Sequence, residues 1–300
     1  MITLSNDRIT VQIAKHGAEL QSIIANGREY LWQGDPIFWG RRSPILFPFV
    51  GRVWNNVYRH EGVEYSMGQH GFARDMDFSL KEQTSTEALF ALKSTAETLA
   101  KYPFRFTLQV GYRIDGSRII ITWTVRNDGD SKMHFQIGAH PAFYYRDLDL
   151  SSEQRGYLYV GADKMPLQYI SPTEKGCTSC KRHSIDLPDG YMELTTKTFA
   201  CDTYIFDGSQ VSRLTLADKQ HRPYISLSFH TPLVAVWSPT VAHPDVPFVC
   251  LEPWYGRCDR VGYVGELANR DCMEHLAAGS TFIGGYDIEI LEKTFYSTCS

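Results

Sequence analysis

Strict alternation of apolar residues limits the fold of this chain more than any other feature of its sequence. Apolar side chains occupy every second position over residues 104–114, Asp115 and Gly116 follow, and the same alternation resumes over residues 119–125. A period of two is the repeat of a strand with one buried face, and an Asp-Gly step between two such runs is typical of a hairpin. The sequence therefore predicts an antiparallel β-hairpin here.

Shorter runs rich in β-branched and aromatic residues recur along the rest of the chain, with Gly, Pro, Asp or Asn between most of them. They occupy residues 204–206, 211–216, 224–229, 233–237, 248–251 and 286–291. Many short strands separated by turn residues are typical of a β-sandwich. Because the 300 residues contain no internal repeat and no long linker, we predict an all-β fold, a single large antiparallel β-sandwich domain over residues 1–300.

Helix signals are few, and we expect only one or two short helices. Ser94 and Glu97 have the spacing of a capping box, and Pro103 would end the helix that they start. A second short helix is expected over residues 267–276. Residues 151–187 have the least regular pattern, which predicts a long loop of the kind that often borders a binding cleft.

Charge and composition exclude several classes of partner. The net charge is −4 and the pI is near 6.2, whereas nucleic acids and anionic membranes require a concentrated basic surface. No signal-peptide pattern opens the chain and no apolar run approaches the length of a membrane span. Seven cysteines, an odd number, indicate reduced thiols. We expect a soluble, cytoplasmic protein with a small-molecule partner and neither nucleic acid nor membrane, and the sequence leaves open whether it forms a homodimer.

Three segments far apart in the sequence carry a proton-handling side chain beside glycine or proline. They are residues 69–75 (QHGFARD) with His70, residues 138–143 (GAHPAF) with His140, and residues 251–256 (LEPWYG) with Glu252. His140 and Glu252 each follow a strand pattern and precede a proline, so both are expected at strand ends, whereas His70 lies in a polar turn. Histidine titrates near neutral pH and burial can tune a glutamate towards it. Together the three groups predict acid/base chemistry.

With two further segments, these three segments resemble the aldose 1-epimerase (galactose mutarotase) superfamily, and within it the LacX-like branch. The further segments are residues 47–53 (FPFVGRV) and 201–206 (CDTYIF), and the resemblance runs from near residue 1 to the strand at 286–291. It implies a β-supersandwich with a monosaccharide site on a concave sheet surface, and neither a metal nor a cofactor.

The resemblance also implies roles for individual residues. Glu252 would be the general base, His140 the general acid and His70 a second imidazole near the ring oxygen of the sugar. Arg52 would donate hydrogen bonds to the sugar, and Asp202 would accept them from its hydroxyls. Opening a cyclic hemiacetal needs a base and an acid, because the anomeric hydroxyl loses a proton while the ring oxygen gains one.

Four further residues are candidates for substrate binding. Trp254 and Trp237, like Tyr255, could stack on the apolar face of a pyranose, and Arg74 could bind its hydroxyls. The ordinary explanation of each is structural: tryptophans and tyrosines are more often core residues, and Arg74 could pair with its neighbour Asp75.

Three hypotheses for the function stay open. An aldose 1-epimerase acting on a free hexose is the favoured one. The same chemistry on a phosphorylated hexose is the second, because guanidinium groups bind phosphate well and four arginines lie early in the chain: Arg41, Arg42, Arg52 and Arg74. The third is a non-catalytic carbohydrate-binding protein, or a glycosidase that uses Asp202 and Glu252 as its two carboxyl groups.

Cys177, Cys180 and His183 form a Cys-x-x-Cys-x-x-His run. A structural zinc site requires four ligands, and no second cysteine pair has matching spacing. We therefore predict no metal site. The remaining scattered histidines are expected to be surface or loop residues.

Overall fold

The computed structural model describes residues 1–291. In its first half the strands are β1 (Ile2–Ser5), β2 (Ile9–Ile13), β3 (Leu20–Ala25), β4 (Arg28–Glu29), β5 (Ile45–Leu46), β6 (Val57–His60), β7 (Val63–Ser66), β8 (Ser79–Gln83), β9 (Glu87–Lys93), β10 (Phe106–Asp115), β11 (Arg118–Asn127), β12 (Met133–Phe135), β13 (Ile137–Ala139) and β14 (Ala142–Tyr144).

The second half continues with β15 (Gln154–Ala162), β16 (Leu167–Ile170), β17 (Pro172–Glu174), β18 (Cys177–Thr178), β19 (His183–Ile185), β20 (Tyr191–Thr195), β21 (Tyr204–Phe206), β22 (Val211–Ala217), β23 (Pro223–Phe229), β24 (Leu233–Trp237), β25 (Phe248–Tyr255), β26 (Glu274–Leu276) and β27 (Thr281–Ile290). Helical structure in the described chain is limited to α1 (Ala96–Lys101) and the 3-10 turns Trp54–Asn56, Ala73–Asp75 and Leu267–Asn269.

Two large antiparallel sheets dominate the fold. The nine-stranded sheet has the order β20-β15-β22-β23-β27-β11-β10-β9-β8, and the eight-stranded sheet has the order β19-β16-β21-β24-β25-β13-β5, with β14 also paired to β25. Buried side chains from both sheets, such as Trp123 on β11 and Leu251 on β25, belong to one continuous hydrophobic core. The predicted all-β sandwich class is confirmed.

The predicted hairpin is also confirmed. Strands β10 and β11 pair along their whole length, from Phe106 opposite Asn127 to Asp115 opposite Arg118. Gly116 in the turn has a φ of +58°, a conformation that glycine adopts without strain.

The capping box of α1 lies one residue later than predicted. Thr95 is the N-cap, and its side chain and that of Thr98 each accept a hydrogen bond from the other residue's backbone N–H. Ser94 is not available as a cap, because its N–H donates to the carbonyl of Phe106 and its hydroxyl accepts from the Phe106 N–H. Pairing with the neighbouring strand therefore sets where the helix begins.

Two other predictions from local pattern are wrong. Residues 267–276 form a single 3-10 turn followed by β26, which pairs with β12, so non-local pairing overrides the helix signal. The predicted loop over residues 151–187 contains β15 to β19, and β15 lies inside the nine-stranded sheet. A register shift between Gln154 and Gly156 interrupts the alternation of β15.

Within residues 1–291, no helix combines the length and the apolar character needed to cross a bilayer. Six cysteines are free thiols, and the seventh, Cys299, lies outside the described residues, as does the end of the predicted domain at 292–300.

Candidate active site

Strand β25 positions the candidate base. Val249 and Leu251 belong to the main core, whereas Cys250 and Trp254 belong to small clusters on the other face of the sheet. Successive side chains of a strand point to opposite faces of the sheet. Glu252 therefore lies on the same face as Cys250 and Trp254. The sheet is thus buried on both sides, and Glu252 lies on the side away from the main core.

The strand does not end where the sequence predicted. β25 continues through Pro253 to Tyr255, so Glu252 is a mid-strand residue. Pro253 is tolerated there because β13 pairs with β25 on one side of this point and β14 pairs with it on the other, which leaves Pro253 without a partner residue in either strand. The chain between β13 and β14 carries His140, and the register on both sides places His140 opposite Glu252.

Two glycines allow the close approaches that build the site. A Cβ on Gly138 would lie 2.5 Å from Cδ1 of Trp254, and a Cβ on Gly71 would lie 2.3 Å from the carbonyl oxygen of Phe47. Gly71 also has a φ of +70°. Glycine at these positions lets the Trp254 ring and the turn after His70 pack directly against backbone and neighbouring strands.

These elements line a cavity of about 480 Å³. Such a volume falls within the roughly 300–1,000 Å³ typical of small-molecule sites. Seven of the predicted site residues line it: His70, Arg74, His140, Asp202, Trp237, Glu252 and Trp254. Residues distant in sequence therefore share one small-molecule-sized space.

The three acid/base candidates are in mutual reach. Nε2 of His140 lies 3.1 Å from Oε2 of Glu252, and the rings of His70 and His140 are 5.5 Å apart at an angle of 86°. The Glu252 side chain is only 2% exposed. Trp39 stacks on the His140 ring with a centroid separation of 4.7 Å and fixes its orientation.

Several buried polar atoms of the cavity have no hydrogen-bond partner among the described residues. They include Oε2 of Glu252, Nδ1 of His140 and Nε1 of Trp254. The short contact between His140 and Glu252 lacks the direction of a hydrogen bond, so it does not satisfy Oε2. Because buried polar groups are nearly always paired, this set is typical of a site that binds a polar ligand.

Burial controls the protonation of the His140–Glu252 pair. It raises the pKa of Glu252 well above 4.5, and the negative charge of Asp202 adds to that shift. Burial lowers the pKa of His140 to about 3, with Arg74 and Arg41 also disfavouring the imidazolium. Both shifts oppose a carboxylate facing an imidazolium, so burial favours the form of the pair in which both groups are neutral.

His70 is a neutral hydrogen-bond donor. Burial, followed by the charges of His140 and Arg74, lowers its pKa well below 6.5. The backbone N–H of Gly51 donates to Nδ1 of His70 at 3.1 Å. Since that nitrogen is an acceptor, the proton of the neutral ring lies on Nε2, which contacts the side-chain amide of Gln69 at 3.2 Å.

The remaining cavity residues have defined supports. Asp202, at a φ of +71°, accepts hydrogen bonds at Oδ1 from the N–H and hydroxyl of Thr203. Trp237 meets the His140 ring edge-on at 5.7 Å. Arg74 donates to the carbonyl of Gln69 at 2.7 Å while lining the cavity.

Two sequence-predicted residues are not among those that line the cavity. Arg52 donates to Oε1 of Gln69 at 2.9 Å, and Gln69 lines the cavity. Tyr255, the next residue in the strand after Trp254, points to the opposite face of the sheet and packs on Phe282 at 5.0 Å.

Comparison with known proteins agrees with this architecture. The family model described as aldose 1-epimerase matches residues 1–255, a range that includes His70, His140 and Glu252. The chain belongs to the aldose 1-epimerase family. Its relatives include the plasmid-encoded protein LacX of Lactococcus lactis subsp. lactis, which is 30% identical over 97% of this chain and 99% of the relative.

Solved structures related to this aldose 1-epimerase family member are similar throughout. A galactose mutarotase related enzyme from Lactobacillus acidophilus has a TM-score of 0.89 and 30% identity, with 98% of both chains covered. A galactose mutarotase-like protein from Lactobacillus casei has a TM-score of 0.90 and 32% identity, over 97% of this chain and 99% of that one.

Sequence reasoning missed part of the cavity wall. Trp39 and Gln69 line the cavity without having been predicted, and Arg41, considered only as one of four early arginines, lines it too. Gln69 was recognisable as the neighbour of His70. No local signal marks Trp39, since its stacking on His140 depends on the tertiary fold.

One set of side chains in residues 1–291 has the geometry to hold a metal ion. A ring nitrogen of His140, Sγ of Cys250 and an oxygen of Glu252 lie within 4.8 Å of one another. The Cys177, Cys180 and His183 run is not such a set in the described chain: Cys177 is buried, whereas His183 is exposed and stacks on Tyr169.

Proposed function

We propose that this protein interconverts the α and β anomers of an aldose by acid/base ring opening and reclosure. The observation that carries the proposal is the buried pair of His140 Nε2 and Glu252 Oε2, 3.1 Å apart on the wall of a cavity with room for a monosaccharide. Membership of the aldose 1-epimerase family supports the same class of reaction.

The single proton of this pair matches the reaction. With the proton on His140, Glu252 removes the proton of the anomeric hydroxyl while His140 protonates the ring oxygen, and the bond between the anomeric carbon and the ring oxygen breaks. The pair is then neutral and the sugar is an open aldehyde. After rotation about the bond next to the aldehyde carbon, the ring closes on either face, Glu252 returns its proton and His140 regains one.

The other residues bind and orient the sugar in this proposal. His70 donates from Nε2 near the ring oxygen, where negative charge develops. Trp237 and Trp254 contact the apolar face of the ring, and Asp202 accepts from its hydroxyls. Arg74, which also lines the cavity, donates to hydroxyls of the sugar.

Anomer exchange tests the proposal directly. We expect the wild-type protein to accelerate α/β exchange of galactose or glucose, measured by exchange NMR, above the rate in buffer. His140→Asn should abolish most of the acceleration, while His230→Asn, which changes an exposed histidine outside the cavity, should not. Sugar binding without any acceleration would favour the binding-protein hypothesis, and release of nitrophenol from a nitrophenyl glycoside would favour a glycosidase.

A second candidate, mutarotation of a phosphorylated hexose, is favoured by one specific observation. Of the four early arginines, Arg41 and Arg74 both line the cavity that contains Glu252. Arg41 also pairs with Asp75 at 2.8 Å, so its charge is partly balanced. Arg42 does not line the cavity and instead donates to the carbonyl of Gln21 and the side chain of Gln33.

The arginines provide a matched pair of variants. If the substrate carries phosphate, wild-type kcat/KM for glucose 6-phosphate should exceed that for glucose. Arg41→Met should then lower kcat/KM for glucose 6-phosphate by about tenfold or more, because it removes one charge-assisted hydrogen bond. Arg42→Met is the control and should change neither value. Equal losses for glucose and glucose 6-phosphate in Arg41→Met would reject a phosphate contact.

A further inference from the structure

A cysteine thiol lies beside the acid/base pair of the proposed active site. Cys250 and Glu252 are alternate residues of β25 and share one face of the sheet, and His140 lies opposite Glu252. Sγ of Cys250, a ring nitrogen of His140 and a carboxylate oxygen of Glu252 lie within 4.8 Å of one another. Three donors of different chemistry therefore meet at one point of the sheet.

The proposed reaction makes no use of this cysteine. Cys250 is fully buried in a small cluster with Ala142 and Phe248, and it is not among the residues that line the cavity. A buried cysteine ordinarily packs as a small apolar residue. This one also lies beside two groups with unpaired buried atoms, Oε2 of Glu252 and Nδ1 of His140. Because buried polar atoms are nearly always paired, the set is typical of a site that lacks its ligand.

The spacing of the three donors fits a tetrahedral metal ion. Zinc binds thiolate sulfur at about 2.3 Å, imidazole nitrogen at about 2.0–2.1 Å and carboxylate oxygen at about 2.0–2.2 Å, which places such donors about 3.3–3.7 Å apart. Nε2 of His140 and Oε2 of Glu252 are already 3.1 Å apart. Since all three donors lie within 4.8 Å of one another, side-chain shifts of about 1 Å gather them around one ion.

The donor set also selects the kind of ion. Calcium takes roughly six to eight oxygen ligands and magnesium keeps several waters, whereas a thiolate, an imidazole and a carboxylate suit zinc. The charges of Arg74 and Arg41 disfavour an added positive charge on His140. A thiolate and a carboxylate together carry two negative charges, so the centre that they form with a divalent cation is neutral.

The cavity provides both an entry path and an open coordination position. His140 and Glu252 line the cavity, whereas Cys250 does not, so an ion reaches the three donors from the cavity. Zinc sites with three protein ligands take a water or a substrate oxygen as the fourth. An ion held here occupies the lone pairs of Glu252 and His140 that proton transfer requires.

We propose that Cys250, His140 and Glu252 form a binding site for Zn²⁺, and that the bound ion inhibits the protein by occupying its acid and base. The ion is an inhibitor in this proposal and has no part in ring opening. Zinc binding stands independently of the proposed function, whereas the inhibition rests on it.

Calorimetric titration of the whole protein with Zn²⁺ alone tests the site. We expect wild type to bind zinc at this site. Changing a group that merely supports a metal ligand costs about 10-fold to 100-fold in affinity, so Cys250→Ser, which removes a ligand, should weaken binding at least tenfold. Cys258→Ser is the matched control and should change the affinity less than twofold, because Cys258 is buried and lines the cavity but does not belong to the set.

Two further measurements keep the test informative if Cys250→Ser fails to fold. His140→Asn should also weaken zinc binding at least tenfold. With Co²⁺ as a spectroscopic probe, a sulfur-to-cobalt charge-transfer band should appear in wild type and in Cys258→Ser. That band should be absent in Cys250→Ser.

Inhibition is measured as the rate of anomer exchange with and without Zn²⁺, each variant being compared with its own metal-free rate. Zinc should slow wild type and Cys258→Ser, and a chelator should restore both rates. Mg²⁺ at the same concentration should have no effect. Cys250→Ser should require at least tenfold more zinc for the same inhibition.

Three results would overturn the inference. Wild type that binds no zinc, or equal zinc affinities for Cys250→Ser and Cys258→Ser, would reject the site. Zinc binding without slower exchange in an active protein would reject the inhibition. If no sugar is mutarotated, the proposed function fails separately, and the calorimetric comparison of the two cysteine variants still decides the metal site.

Discussion

Glu252→Gln is the substitution that separates catalysis from folding most sharply. The change keeps the shape of the side chain and removes only the ability to carry a proton to and from the anomeric oxygen. A correctly placed general base accelerates a reaction by about 100-fold to 10,000-fold. We expect kcat to fall by that factor, which corresponds to roughly 2.7–5.5 kcal/mol of activation free energy at about 1.36 kcal/mol per tenfold.

Stability should change in the opposite direction, for a reason visible in the structure. Burial holds the pKa of Glu252 well above its ordinary value of 4.5. A carboxyl group of this kind contributes its full stability below the unfolded pKa and loses it as pH rises through the folded pKa. Glutamine has no such loss, so the free energy of unfolding of the variant, relative to wild type, should increase as pH rises above about 4.5.

The assay combines exchange NMR for activity with urea unfolding at several pH values. Sugar binding, followed by tryptophan fluorescence, should survive because Trp39, Trp237 and Trp254 still line the cavity. A variant that keeps activity within tenfold of wild type would refute Glu252 as the base. A variant that loses activity together with stability at every pH would show that the carboxyl group is structural.

Three further predictions follow from the same geometry. The rate of anomer exchange should fall at high pH, as the proton of the His140–Glu252 pair is lost. At low pH the rate should fall only well below 6.5, because burial lowers the pKa of His140 to about 3. An acidic limb of the pH–rate profile centred on 6.5 would contradict this. His70→Phe should cost about 100-fold to 1,000-fold in kcat through loss of a donor while leaving the position of the acidic limb unchanged, and a displaced limb would instead make His70 the acid. Gly71→Ala should destabilise the protein by at least about 2 kcal/mol in urea unfolding, because the new Cβ would lie 2.3 Å from the carbonyl oxygen of Phe47. Gly62 also has a left-handed backbone but has open space around it, so Gly62→Ala should destabilise the protein less. Equal losses of stability in the two variants would contradict this overlap.

Local pattern predicted the strands well where pairing partners are adjacent in sequence. The β10–β11 hairpin follows from alternation and a turn, and both signals lie within its own residues. The pattern failed where a distant partner decides the structure: β26 exists because β12 pairs with it, and the N-cap of α1 is Thr95 because β10 engages Ser94. Such partners cannot be read from the segment itself.

The site shows the same division. The sequence indicated three residues that share the cavity, since His70, His140 and Glu252 stand beside glycine or proline. It did not indicate the mid-strand place of Glu252, which depends on the pairing of β13 and β14 with β25. Trp39 and Arg41 were missed as part of the cavity wall because neither belongs to a recognisable segment, whereas Arg52 belonged to one and instead donates to Gln69, which lines the cavity.

The mid-strand position explains why this fold suits a reaction that moves two protons at once. A lone carboxylate in a sheet buried on both faces would be costly, because burial penalises its charge. The gap between β13 and β14 brings His140 opposite Glu252, so that the cost falls on a pair with one proton instead of on a lone charge. In the proposed reaction, His140 gives a proton to the sugar and Glu252 takes one from it, so the net charge of the pair is zero before and after ring opening. A sheet with continuous pairing at this point would have no room for the imidazole, and Glu252 would then have to be neutral or be lost from the core.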